Sequence, residues 1–179
     1  RSFFLVFFIA LFNQLSGINA FLYYSPRIFE VAGLEEGAAF LSSIGVGLVN
    51  VAFTLLGMFL IDRVGRKKLM YIGSAGYIIS LTAVAIAFGT EVKGMFIPIW
   101  FFIFIASHAI GQGAVIWVFI AEIFPSHVRA SGQAFGSSVH WVLAALIPSF
   151  IPTLFTHLGA EVVFASFAVF MVGQLIWVI

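Results

Sequence analysis

Polar residues divide the chain into six long apolar stretches, approximately 2–24, 38–61, 69–89, 95–121, 131–152 and 162–179. Each approaches the roughly 20 residues that an α-helix needs to cross a hydrocarbon core about 30 Å thick. Between them fall a polar stretch at Ser25–Gly37, the cluster Asp62–Lys68, and shorter breaks at Thr90–Gly94, Glu122–Arg129 and Thr153–Glu161. Pro26, Pro125 and Pro152 stand at the expected ends of spans, where the missing backbone donor costs least. The first and fourth stretches alone carry a polar, glycine-containing interruption at mid-depth: Asn13-Gln14-Leu15-Ser16-Gly17-Ile18-Asn19 and Gly111-Gln112-Gly113. Such interruptions in corresponding helices of two repeats point to a transporter's substrate site. They divide the six spans into two triplets. The pattern predicts an all-α membrane protein.

Composition sharpens this. The chain is 63% hydrophobic and 8% charged, with a mean hydropathy of +1.17, too few charges to cover a water-facing surface. It has no cysteine, so disulfides and thiolate metal sites are excluded. The apolar segment after Arg1 is too long for a signal peptide, and its amides and lack of a small-residue cleavage pattern mark it as a span. Both ends of the sequence are expected to be internal to a longer chain, since it opens without Met and stops within an apolar run. If the spans alternate, Arg1, Arg63, Arg66, Lys67, Lys68 and Arg129 share one side, while Arg27 and Lys93 lie on the other. The excess of basic residues predicts that the first side, with both ends of the sequence, is cytoplasmic.

Amides within hydrocarbon must find partners in protein, water or ligand. Asn13, Gln14, Asn19, Asn50, Gln112 and His140 are all in this position, and Tyr23, Tyr24, Trp117 and Trp141 surround them in the sequence. Groups offering both donors and acceptors match sugar hydroxyls, and flat rings match the apolar face of a sugar. The same amides also serve as glue between helices, and the residues alone leave both roles open. On a straight helix, at about 100° per residue, Gln14 and Asn19 would lie roughly 140° apart. They can line one cavity only if their helix faces it broadly or loosens near Gly17. The sequence contains no H-E-x-x-H, G-x-S-x-G or G-x-x-x-x-G-K-[ST] pattern. Gly73-Ser74-Ala75-Gly76 reads as close helix packing. No enzymatic activity and no cofactor are expected.

The motifs resemble the sugar porter family of the major facilitator superfamily. Asn13–Asn19 with Tyr23-Tyr24 is similar to that family's seventh helix, and Asp62-Arg63-Val64-Gly65-Arg66-Lys67 to its loop between helices eight and nine. Trp117 with Ala121-Glu122-Ile123-Phe124-Pro125 and Arg129 is similar to helix ten and its cytoplasmic end. The resemblance implies that residues 1–179 form the C-terminal six-helix half of a major facilitator fold, built as 3+3 inverted repeats. It implies substrate contacts from Asn13, Gln14, Asn19, Asn50, Trp117, His140 and Trp141, an extracellular gate at Tyr23 and Tyr24, and a cytoplasmic charge latch of Asp62, Arg63, Arg66, Glu122 and Arg129.

Asn13 stands where a Gln is usual, and His140 where an amide is usual. A neutral imidazole, with one donor and one acceptor, can replace that amide. His140 is therefore expected to be a hydrogen-bonding ligand rather than a proton carrier. Helix ten lacks the family's prolines before Trp117, so any bend there must rest on glycine.

The implied function is alternating-access transport of a hexose, pentose or related polyol, as uniporter or proton symporter. The implied partners are the lipid bilayer and an N-terminal six-helix half, with no nucleic acid. The implied location is the plasma membrane, which is the inner membrane in a bacterium. A transporter-like sugar sensor and a porter for a non-sugar organic solute are the alternatives.

Overall fold

A computed structural model of the protein describes residues 2–179. Six helical spans long and apolar enough to cross a membrane are present among these residues. The first span is broken into α1 (Ser2–Leu15) and α2 (Ile18–Val31). Then come α3 (Glu36–Val64) and α4 (Arg66–Gly89). The fourth span is α5 (Phe96–His108), a π-helical turn (Ala109–Gly113) and α6 (Ala114–Glu122). A short 3₁₀ turn (Ser126–Val128) leads into α7 (Arg129–Leu158), and α8 (Ala160–Val178) completes the bundle.

The helices run farther than the apolar pattern predicts. Ser25–Val31 continues α2 where a polar connection is expected, and Thr153–Leu158 continues α7. Pro26 and Pro152, expected at span ends, lie inside these helices. Proline at 152 cannot donate to the carbonyl four residues earlier, that of Pro148. The Tyr24 hydroxyl donates to that carbonyl instead, at 3.3 Å. A partner from another helix thus makes an interior proline tolerable.

Two apolar cores lie toward opposite ends of the bundle. One is dominated by aromatic rings: Phe21 packs on Phe104 and Phe101 with ring centroids 4.3 and 4.4 Å apart, and Phe164 joins them at 5.2 Å from Phe21. The other gathers Val6, Ile9, Ile61, Leu69, Val115, Ile120 and Phe124. Near the middle of their spans, the buried polar residues Asn13, Gln14, His108, Gln112 and His140 interrupt the apolar interior. Along most of α3 and α7 the apolar side chains are exposed, as lipid or a second bundle requires of a membrane protein.

Close approach of α4 to the π-turn fixes the centre of the bundle. A Cβ on Gly73 would stand 2.9 Å from the Gly111 Cα and 3.0 Å from the Ser107 carbonyl oxygen. Gly76 is equally crowded by the Ser107 side chain. The Gly73–Gly76 segment is therefore a helix-packing surface of small residues.

Candidate substrate site

The site is built on the break in the first span. Gly17 adopts φ 80°, ψ 10°, the left-handed conformation that a residue with a Cβ reaches only with strain. Ser16 knits the break together: its hydroxyl donates to the Asn13 carbonyl at 2.6 Å and accepts the Ile18 N–H at 3.3 Å. The change of direction brings Gln14 and Asn19 to one side, and Asn19 Nδ2 donates to Gln14 Oε1 at 2.8 Å.

Gln14 is the hub. Its amide nitrogen donates to Asn13 Oδ1 at 3.2 Å and lies 3.2 Å from both ring nitrogens of His140. Both amide protons and one carbonyl lone pair are thus used within the protein. Gln14 is buried, whereas Asn19 is half-buried and opens toward the surface of the bundle. The His140 ring is wedged between two indoles, with centroids 4.8 Å from Trp117 and 5.1 Å from Trp141. Both indoles are substantially exposed, at 41% and 59%. The arrangement offers amide and imidazole hydrogen-bonding groups beside two uncovered aromatic faces.

Tyr23, Tyr24 and Trp141, with Ala144, Ala145, Pro148 and Ser149, line an open cavity of about 280 Å3. Tyr24 is tied to α7 through Pro148, while Tyr23 is exposed. Asn50 stands apart: it is half-buried on α3 and takes no part in the hydrogen bonds that join Asn13, Gln14, Asn19 and His140.

Of the five charged residues expected to act together, three meet. Arg66 bridges Glu122 at 2.9 Å and Asp62 at 3.3 Å, joining the end of α6 and the end of α3 to the start of α4. Arg63 instead lies over the Phe59 ring, 4.0 Å from its centroid. Arg129 donates from Nε to the Phe124 carbonyl at 3.3 Å, which closes the turn between α6 and α7.

Several polar residues of the interior were not singled out from the sequence. Tyr77, His108 and Gln174 are buried in mid-bundle, and each is a polar side chain inside an apolar run, a signal visible in the pattern. The role of Ser16 as the tie across the break was likewise missed.

A family model described as "Sugar (and other) transporter" matches residues 1–179. The chain belongs to the sugar transporter family. Among curated relatives, this family member is 38% identical over 162 residues to the arabinose-proton symporter of Bacillus subtilis, covering 90% of the chain and 35% of that protein. It is 36% identical over 173 residues to the glucose transporter GlcP of Staphylococcus epidermidis, covering 95% and 39% respectively. The fold matches the major facilitator proton:xylose symporter XylE bound to 6-bromo-6-deoxy-D-glucose, with a TM-score of 0.88 at 28% identity over 98% of the chain and 38% of that structure. Residues 2–179 form six spans of an integral membrane protein with the major facilitator fold, and the chain covers little more than a third of the length of these relatives.

Proposed function

We propose that this chain is the C-terminal six-helix bundle of a monosaccharide transporter, with its substrate site centred on Gln14. The carrying observation is the network in which Gln14 holds Asn13, Asn19 and His140 beside the faces of Trp117 and Trp141. A sugar entering there would meet Asn19 Oδ1, the Asn13 Nδ2 protons and a His140 ring nitrogen. Gln14 would act chiefly by orienting these groups. Preorganised polar groups bind better because their ordering cost is met on folding. The indoles would stack on the sugar ring. Asn50 would contribute from α3 once a second bundle closes the cavity.

The relatives include an arabinose-proton symporter and a glucose transporter, and the structural match is a proton:xylose symporter. Pentoses and hexoses are accordingly the substrate class. The cluster itself contains no carboxylate, so proton coupling, where it operates, would draw on an acid in the rest of the protein. Tyr23 and Tyr24 would close the cavity from the extracellular side. Arg66 with Asp62 and Glu122 would latch the cytoplasmic side in a plasma-membrane protein whose Arg66 end faces the cytoplasm.

The test is uptake of labelled xylose, arabinose and glucose by the full-length protein in liposomes, with and without an inward proton gradient. Saturable uptake of at least one sugar is expected. Sugar binding without flux would favour a sensor, and the absence of both would refute the reading.

A further inference from the structure

We propose that Tyr77 is a positioning residue for the substrate site, holding the π-helical turn in register so that Trp117 faces His140. The inference rests on the sugar-site reading for its consequence, but its geometry stands apart from it. Tyr77 is fully buried on α4 and belongs to none of the groups assigned to substrate, gate or latch. Its hydroxyl oxygen accepts the backbone N–H of Gln112 at 3.1 Å, inside the Ala109–Gly113 turn. The same oxygen lies 3.3 Å from the point a Cβ on Gly111 would occupy. The Tyr77 ring is braced by Phe104 and His108, with centroids 6.0 and 5.9 Å away.

The hydroxyl reaches the turn because glycine faces glycine at Gly73 and Gly111, which lets α4 approach within backbone contact. A π-turn holds one residue more than an α-turn, and one residue corresponds to about 100° of rotation for everything that follows. Trp117 follows, on α6. Its indole stands on His140, and His140 on Gln14. Loss of the Tyr77 acceptor would leave the Gln112 N–H seeking a carbonyl within its own helix. The turn would then tighten toward α-helix and carry the Trp117 indole off the histidine. Around the turn, the Gln112 side-chain amide, His108 Nδ1 and Ser74 Oγ are buried without a protein partner among the described residues. Local side-chain bonds therefore give the turn little support, and the weight falls on Tyr77.

The experiment uses the full-length transporter carrying 5-fluorotryptophan, with the Trp117 resonance assigned by its loss in Trp117→Phe. Tyr77→Phe keeps the ring and removes only the hydroxyl. Without sugar, the substitution should move the Trp117 resonance. With sugar, it should weaken binding about twofold to tenfold, the scale of one aromatic contact. Placed on Trp117→Phe, it should cause no further loss of sugar affinity, because the two substitutions act through one contact. An unmoved Trp117 resonance, or a full additional loss in the double variant, would overturn the proposal. Failure of the unmodified protein to bind any sugar would refute the functional reading instead, leaving the sugar-free resonance to decide on Tyr77. Hydrogen exchange of the unmodified protein needs no variant: the Gln112 amide should exchange slowly, and exchange as fast as a loop amide would overturn the proposal.

Discussion

Asn19 Nδ2 donates to the Gln14 side-chain oxygen Oε1 across 2.8 Å, although on an unbroken helix the two residues would lie roughly 140° apart. The left-handed Gly17 between them makes the contact possible. A side chain at that position would add backbone strain, and its Cβ would fall 2.6 Å from two carbons of the Phe167 ring. Gly17→Ala should therefore destabilise the protein by about 1–3 kcal/mol, seen as a lower unfolding midpoint in detergent. Sugar affinity should fall as well. A variant with unchanged midpoint and affinity would show that the break does not depend on glycine.

The two indoles and His140 give a second expectation. His140→Gln replaces the imidazole with another group able to donate and accept, so most sugar affinity should remain. His140→Phe removes both functions and leaves the Gln14 amide short of a partner, which costs about 1–3 kcal/mol. Equilibrium binding of labelled sugar to the full-length variants separates the two. Equal losses would mean that His140 supports packing alone.

At one end of the bundle, Arg66 and Arg63 are next neighbours in the basic cluster with different surroundings. Arg66 touches two carboxylates and Arg63 an aromatic ring. If the charges form a latch, Arg66→Ala and Glu122→Ala should shift the outward–inward equilibrium more than Arg63→Ala. The pairs are largely exposed, so the shift is limited to about 0–1 kcal/mol per pair. The readout is labelling of a cysteine placed at the mouth beside Arg66; residues 1–179 contain none. Sugar affinity should change only through the fraction of competent protein. Equal labelling in all three variants would make these residues an orientation signal and nothing more.

Residues 1–179 alone should not catalyse flux. Tyr23, Trp117 and Trp141 are exposed on this bundle, as half of a cavity closed by a second bundle would be. Liposomes carrying only this segment should take up no more sugar than empty ones. Saturable, competable uptake would contradict the shared-cavity account.

The six spans were legible because a hydrocarbon solvent imposes a length and composition on every crossing helix, and that constraint is local. The loosening at Gly17 was legible as one of two alternatives, from amides and glycine at mid-depth, the other being a helix that faces the cavity broadly. The extent of α7 was not. A proline reads as a terminator, but the carbonyl that Pro152 cannot satisfy is reached by Tyr24, a residue 124 positions from Pro148. The grouping of charges was legible only in part. Sequence places Arg63, Arg66 and Arg129 at helix ends, while helix rotation decides which of them meets a carboxylate. Asn50 reads as an equal of the other amides, yet the break that gathers Asn13, Gln14 and Asn19 does not involve α3.

Calorimetric titration of the full-length protein decides whether the Gln14 network binds sugar. The unmodified protein should bind a pentose or hexose saturably. Gln14→Ala should weaken that binding by about 1–3 kcal/mol, because the groups it orients lose their partners, with normal insertion into the membrane. Asn19→Ala should follow the same direction with a smaller loss. Unaltered sugar affinity in Gln14→Ala, in a protein that folds and inserts normally, would show that the sugar binds elsewhere.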